Sequence, residues 1–146
     1  MNSNKNINPT IWGAGAWKFI HSIALGYPNN PSKDDNKNYY TFFSNLQNVL
    51  PCEKCSQKYK QNLKEYPLEE ALKNTDNLFK WTIDIHNEVN KETNKRIYSY
   101  EEIYKEYSQN KNQTEYEIIM VIAFLFFIFF IIMLIQNKTN FFSRLF

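Results

Sequence analysis

The chain has 146 residues, enough for one small domain and little more. Hydrophobic residues make up 43% and aromatic residues 17%, which predicts a packed core and excludes general disorder, while three Gly and five Pro exclude collagen and loop-rich low-complexity chains. The formal net charge of +2 resides in Lys138 and Arg144 near the C-terminus, because residues 1–117 hold fifteen Lys/Arg and fifteen Asp/Glu. A neutral domain lacks the electrostatic footprint of a phosphate-backbone binder, so nucleic acid is not an expected partner.

Taken in chain order, residues 1–10 (MNSNKNINPT) carry no apolar run and read as a disordered N-terminus without a secretory signal peptide. Ile11 to Leu25 sets Trp17, Ile20, His21 and Ala24 on one helical face, and Gly26-Tyr27-Pro28 ends that helix. A second stripe runs from Tyr39 to Leu50 through Phe42, Phe43, Leu46 and Val49. Pro51 marks a boundary before a third helix, Cys52 to Leu63, and Pro67 interrupts again. Thr75 to Asn90 repeats the stripe through Leu78, Trp81, Ile85 and Val89, and a short fifth helix is predicted through Tyr107. No strand alternation is visible, so residues 11–108 read as an all-α four-helix bundle with a short fifth helix.

Residues 109–117 read as a linker, and residues 118–135 form eighteen consecutive apolar residues, IIMVIAFLFFIFFIIMLI. A helix of that length covers about 27 Å, close to the ~30 Å hydrocarbon thickness of a bilayer. No polar face interrupts it, which predicts a transmembrane helix rather than the buried helix of a small domain. Residues 136–146 then form a short tail, and this order predicts a single-pass C-terminal anchor with the preceding domain in the cytosol.

Both cysteines lie in Pro51-Cys52-Glu53-Lys54-Cys55. At a helix N-terminus, unpaired N–H groups and the positive dipole end favour a thiolate, which suits a redox pair. A thioredoxin-like motif needs a preceding strand, and none is predicted. The alternative is a membrane-anchored Cys2His2 zinc-binding interaction module built from Cys52, Cys55, His21 and His86. Spacing leaves these readings open.

Three segments in order, Trp12-Gly13-x3-Trp17-x3-His21 closing with Tyr27-Pro28, then Pro51-Cys52-x2-Cys55, then Trp81-x4-His86-Asn87-x-Val89-Asn90 with Lys95, resemble the Erv/ALR family of FAD-linked sulfhydryl oxidases. The resemblance covers Ile11 to Tyr107 and implies an FAD-binding helical bundle, usually a homodimer. It also implies oxidation of a substrate dithiol by O2 to a disulfide and hydrogen peroxide. Carried over by position, Cys52 would be the exposed sulfur attacked by substrate and Cys55 the flavin-proximal one. Gly13, Trp17, His21, His86, Asn87, Val89, Asn90 and Lys95 would bind FAD, with Tyr27 and Tyr98 closing the rim. Trp12 and Trp81 read as bundle core.

Three departures stand out. A structural disulfide found in many family members would join positions 83 and 100, which are Ile83 and Tyr100 here and are expected to form an apolar contact. Such a bridge is worth about 3 kcal/mol in the chain-entropy model. The loop position occupied by Gly in the usual pattern is Asn94, and Arg96 stands where Pro is common. No shuttle CxxC exists, so electrons are expected from a dithiol protein substrate or a small thioredoxin-like or CxxC donor. An anchored oxidase without a signal peptide is similar to the short membrane-associated versions of large cytoplasmic DNA viruses, which places it in a viral membrane or virion.

Overall fold

The computed structural model describes residues 6–142, with side chains for 6–108 and 116–136. The first five residues of the expected N-terminal extension and the last four of the expected tail lie outside the described residues. Among the described residues six helices follow one another: α1 Pro9–Leu25, α2 Lys33–Val49, α3 Glu53–Glu65, α4 Leu68–Ala71, α5 Thr75–Glu92 and α6 Tyr100–Phe142. The chain divides into two compact units, Met1–Tyr100 and Glu101–Phe146.

Local chemistry sets the helix ends. The Asn8 side chain accepts from the Thr10 N–H at 3.1 Å, and Pro9, whose ring presets a helical φ, opens α1. In α2, Ser32 and Asp35 form a reciprocal capping box, Ser32 Oγ accepting from the Asp35 N–H at 3.1 Å and Asp35 Oδ2 from the Ser32 N–H at 2.9 Å. This cap starts α2 six residues before the apolar stripe at Tyr39. The four-residue α4 carries too few residues to show a period in the sequence.

Within the first unit α1 packs on α5, α2 on α3, and α4 on both α2 and α5. Phe43, Leu78, Phe79, Ile83 and Ile85 fill the core, each no more than 1% exposed. Trp81 stands edge-on to Phe43 at 5.5 Å and donates its indole N–H to the Tyr66 carbonyl at 2.9 Å. It is a core residue, as its place in the stripe predicts. Trp12 is not: it is half-buried and gives its indole N–H to the Ile7 carbonyl at 3.3 Å.

After α5 the backbone turns through a Schellman motif. The Lys95 N–H bonds the Asn90 carbonyl at 2.8 Å and the Asn94 N–H bonds that of Lys91 at 3.3 Å, with Asn94 at φ 53°. Asn tolerates this left-handed conformation better than other residues with a Cβ, so it replaces the Gly of the usual pattern without breaking the turn. Asn94→Ala should destabilise the fold by about 1 kcal/mol, whereas Asn94→Gly should leave it unchanged or more stable. Urea unfolding of the two variants side by side measures the difference.

The second unit is helical. In α6 the helix continues through the segment expected to be a linker and on into the apolar run, so the short fifth helix and the apolar helix are one element. Tyr116–Gln136, with mean hydropathy 3.5, is long and apolar enough to cross a membrane, and none of it is buried.

Candidate functional site

Cys52 and Cys55 are joined in a disulfide at the start of α3, with Cα atoms 5.1 Å apart. Cys52 is the N-cap, and its Sγ accepts the Cys55 N–H at 3.2 Å. The cap residue thus places its sulfur where α3 offers unsatisfied N–H groups and the positive end of its dipole. Both cysteines are half-buried, so exposure does not separate the attacked sulfur from the inner one. An unforeseen neighbour is the N-terminal segment: Asn6 pairs with Cys52 in an antiparallel bridge, and the Ile7 N–H bonds the Pro51 carbonyl at 2.9 Å. Residues 6–8 are therefore laid beside the disulfide.

Helices α1 and α5 bring Trp17, His21 and His86 together. Trp17 lies flat on His86, ring centroids 4.1 Å apart and planes 9° apart, and also stacks on His21 at 5.9 Å. His21 Nε2 is 3.2 Å from His86 Nδ1, and His21 Nδ1 is 2.8 Å from Thr82 Oγ1. Burial is the main cause that lowers both imidazoles from 6.5, His21 to about 3 with the charge of His86 adding, and His86 to about 4 with that of Lys95 adding. Both are neutral at physiological pH.

Because the unfolded chain takes up these protons near pH 6.5 and the folded chain does not, the contribution to stability is complete above pH 6.5. It falls as the pH drops from there toward about 4 and 3. The buried His21 contributes a slope of at most about 1.4 kcal/mol per pH unit, and the more accessible His86 a smaller one. Urea midpoints measured from pH 7.5 to 4.5 should fall, and a His21→Asn chain should show a shallower fall.

The segment after α5 is tied back at two points. Asn87 clamps the backbone of Tyr98, its Nδ2 donating to the Tyr98 carbonyl at 2.9 Å and its Oδ1 accepting the Tyr98 N–H at 3.0 Å. Tyr98 in turn lies 5.9 Å from the His86 ring, and the Arg96 guanidinium sits 5.4 Å over Tyr98. Tyr100 donates its hydroxyl to Asp84 Oδ1 at 2.7 Å, with the Lys80 ammonium 5.8 Å from its ring. The expected apolar contact between Ile83 and Tyr100 is thus corrected: Ile83 is buried in the core while Tyr100 is 41% exposed and makes a polar tie.

The Erv1/Alr family model matches residues 14–109. This chain belongs to the Erv1/Alr family. It is 50% identical over 97 residues, 66% of this chain and 68% of the relative, to a probable FAD-linked sulfhydryl oxidase of Acanthamoeba polyphaga mimivirus. It is 31% identical over 106 residues, 72% of this chain and 87% of the relative, to the FAD-linked sulfhydryl oxidase of African swine fever virus. The FAD-linked sulfhydryl oxidase ERV2 of Saccharomyces cerevisiae is 26% identical over 65% of this chain, which spans 47% of that protein. In fold, the crystal structure of the FAD binding domain of Erv1 from Saccharomyces cerevisiae superposes with TM-score 0.60 over 64% of this chain and 87% of that one, at 22% identity.

Measured against the Erv1/Alr pattern, the residues fit an aromatic nucleotide cofactor. Asn90 is 3% exposed and its Nδ2 has no partner among the described residues, the mark of a buried donor awaiting an acceptor. At Gly13, one turn before Trp17, a Cβ would meet nothing within 4 Å, leaving room for a group to approach α1. Val89 is half-buried, and Lys95 is exposed but near enough for its charge to act on His86.

Tyr27 departs from its expected place at the rim. It is 2% exposed, its hydroxyl donates to the Leu72 carbonyl at 2.9 Å beside Asn36 Oδ1, and its carbonyl accepts from Thr75 Oγ1. It pins the loop after α1 to the loop after α4. The Cys2His2 zinc alternative also fails on geometry: the sulfurs bond to each other, the two histidines hydrogen-bond to each other, and no group of three or more His, Cys, Asp or Glu converges among the described residues. Two residues went unmarked in the sequence. Asn62, fully buried with both amide atoms unpartnered, and Thr82 were signalled only as polar residues on buried helical faces.

Proposed function

We propose that this chain is an FAD-linked sulfhydryl oxidase that forms disulfides in protein substrates, 2 R–SH + O2 → R–S–S–R + H2O2. The observation that carries this reading is the Cys52–Cys55 disulfide at the N-terminus of α3 within the Erv1/Alr bundle. A substrate thiolate attacks Cys52 Sγ, the Cys52–Cys55 bond breaks, and Cys55 departs as a thiolate. The second substrate thiol then attacks the sulfur bonded to Cys52. Cys52 leaves as a thiolate, a departure eased by the Cys55 N–H and the helix end, since a lower thiol pKa makes a better leaving group. The substrate now holds its disulfide, and two electrons reside on the Cys52/Cys55 pair. FAD, when bound, supplies the chemistry that carries those electrons to O2. Trp17, His21, His86, Val89, Asn90 and Lys95 would hold it beside Gly13, while Asn87 positions Tyr98 from behind.

The electron donor in this reading is a dithiol protein or a small thioredoxin-like or CxxC carrier, because this chain has two cysteines in all. The Tyr116–Gln136 segment anchors the enzyme to a membrane, with the bundle on the cytosolic side. Relatives in mimivirus and African swine fever virus support a viral membrane or virion as the setting and virion proteins as substrates. Exposed Ile11 and Phe19 on α1 and Tyr40 on α2 support a homodimer. The test is oxygen consumption by the full chain in detergent with dithiothreitol. One H2O2 should appear per disulfide formed; a rate no higher than that of the Cys52→Ser/Cys55→Ser chain overturns the reading.

A further inference from the structure

Thr82 is fully buried on α5, one turn before His86, at one of the four unspecified positions between Trp81 and His86 in the family's third segment. Its Oγ1 lies 2.7 Å from the Phe79 carbonyl oxygen and 2.8 Å from His21 Nδ1. A carbonyl oxygen can only accept, so the hydroxyl hydrogen points at Phe79; otherwise two oxygen lone pairs would face each other in a buried, low-dielectric site. Thr82 must then accept on its other side, and His21 carries its proton on Nδ1.

A neutral imidazole has one N–H, so His21 Nε2 is a bare acceptor. His86 Nδ1, 3.2 Å away, must be the donor to it. His86 is neutral as well, which leaves its own Nε2 without a proton. The line of hydrogen bonds therefore has one direction, from His86 to His21 to Thr82 to the Phe79 carbonyl. Burial keeps both rings in the neutral state that this direction requires.

The geometry points to Thr82 as a positioning residue for the flavin nucleotide: acting through His21, its hydroxyl fixes His86 as the Nδ1–H tautomer, so the ring stacked on Trp17 offers Nε2 as a hydrogen-bond acceptor. The group recognised there is a donor of the nucleotide, an exocyclic amine or a ribose hydroxyl. This rests on the reading that FAD lies against Trp17 and His86. Without the Thr82 hydroxyl, His21 loses the acceptor that holds its proton on Nδ1. Its proton moves to Nε2, His86 Nδ1 becomes an acceptor, and His86 Nε2 becomes a donor that repels the donor it formerly received.

The chain contains two histidines, so a 15N-histidine-labelled sample of the full chain in detergent shows two rings and no others. Wild type and Thr82→Ser should both show the two rings as Nδ1–H tautomers. Thr82→Val, which keeps the shape and removes the hydroxyl, should show them as Nε2–H. The same Thr82→Val sample should bind FAD about tenfold more weakly, the cost of one hydrogen bond, while Thr82→Ser matches wild type. A packing role predicts the reverse order, with Ser worse than Val and the tautomers unchanged. That order, or a wild-type His21 protonated at Nε2, overturns the proposal. A wild-type chain that binds no FAD contradicts the flavin reading instead, and the tautomers read on that sample still decide the direction of the hydrogen bonds.

Discussion

Cys55→Ser should retain its flavin and lose dithiol oxidation by at least about 1000-fold. A serine oxygen cannot form the bond to Cys52 that substrate must break, so no disulfide is available to receive two electrons. The change is nearly isosteric, and Cys55 contributes to the cap only through its backbone N–H, which serine retains. Cys52→Ser should lose as much, and the double variant no more than either single one, because the two sulfurs act as a unit. Rates of dithiothreitol oxidation and the visible flavin absorbance of each purified chain measure both halves of this. Loss of flavin on the Cys55 change alone would contradict the separation between the exchange pair and the cofactor-holding residues.

His86→Ala should weaken flavin retention by about 30-fold while leaving the disulfide formed. Two interactions that hold the site ready for FAD disappear together, so the cofactor must reorder the site as it binds. The parallel stack on Trp17 at 4.1 Å is one, worth about 1 kcal/mol by analogy with other aromatic pairs. The other is the hydrogen bond from His86 Nδ1 to His21 Nε2 at 3.2 Å, which holds the His21 ring in place and is worth about 1 kcal/mol more, the net value of one hydrogen bond. Equilibrium dialysis of FAD against wild type and variant gives the ratio directly. Equal FAD content in the two chains would remove His86 from the cofactor site.

Much of the bundle is legible because its helices bury continuous apolar stripes. Ile20, His21 and Ala24 on α1 and Leu78, Trp81 and Ile85 on α5 are all buried where the period places them. Where stripes are lacking, the reading fails for physical reasons. The first turn of α2 is polar and rests on the Ser32–Asp35 cap, so periodicity places its start too late. The stretch of α6 around residues 108–117 has no apolar face, yet Gln, Lys and Glu are good helix formers and the helix runs through it.

The candidate site divides in the same way. Cys52, Cys55, Trp17, His21 and His86 are recognisable from spacing along the chain, and the family resemblance implies their roles. The place of Tyr27 is not legible locally, because its burial depends on the Leu72 carbonyl, 45 residues further along the chain. Asn87 looks like a ligand in sequence, but its amide is spent on the backbone of Tyr98, eleven residues on. Thr82 matters only through a contact 61 residues distant, which no local pattern records.

The most direct test of the central claim is the visible absorption spectrum of the full chain, purified in detergent without added cofactor and titrated anaerobically with dithiothreitol. Flavin bands should be present, bleach as dithiothreitol is added, and return on admitting air, while in Cys55→Ser they should be present and fail to bleach. A chain that is colourless and cannot be reconstituted with FAD, or whose flavin bleaches equally without Cys55, would contradict it.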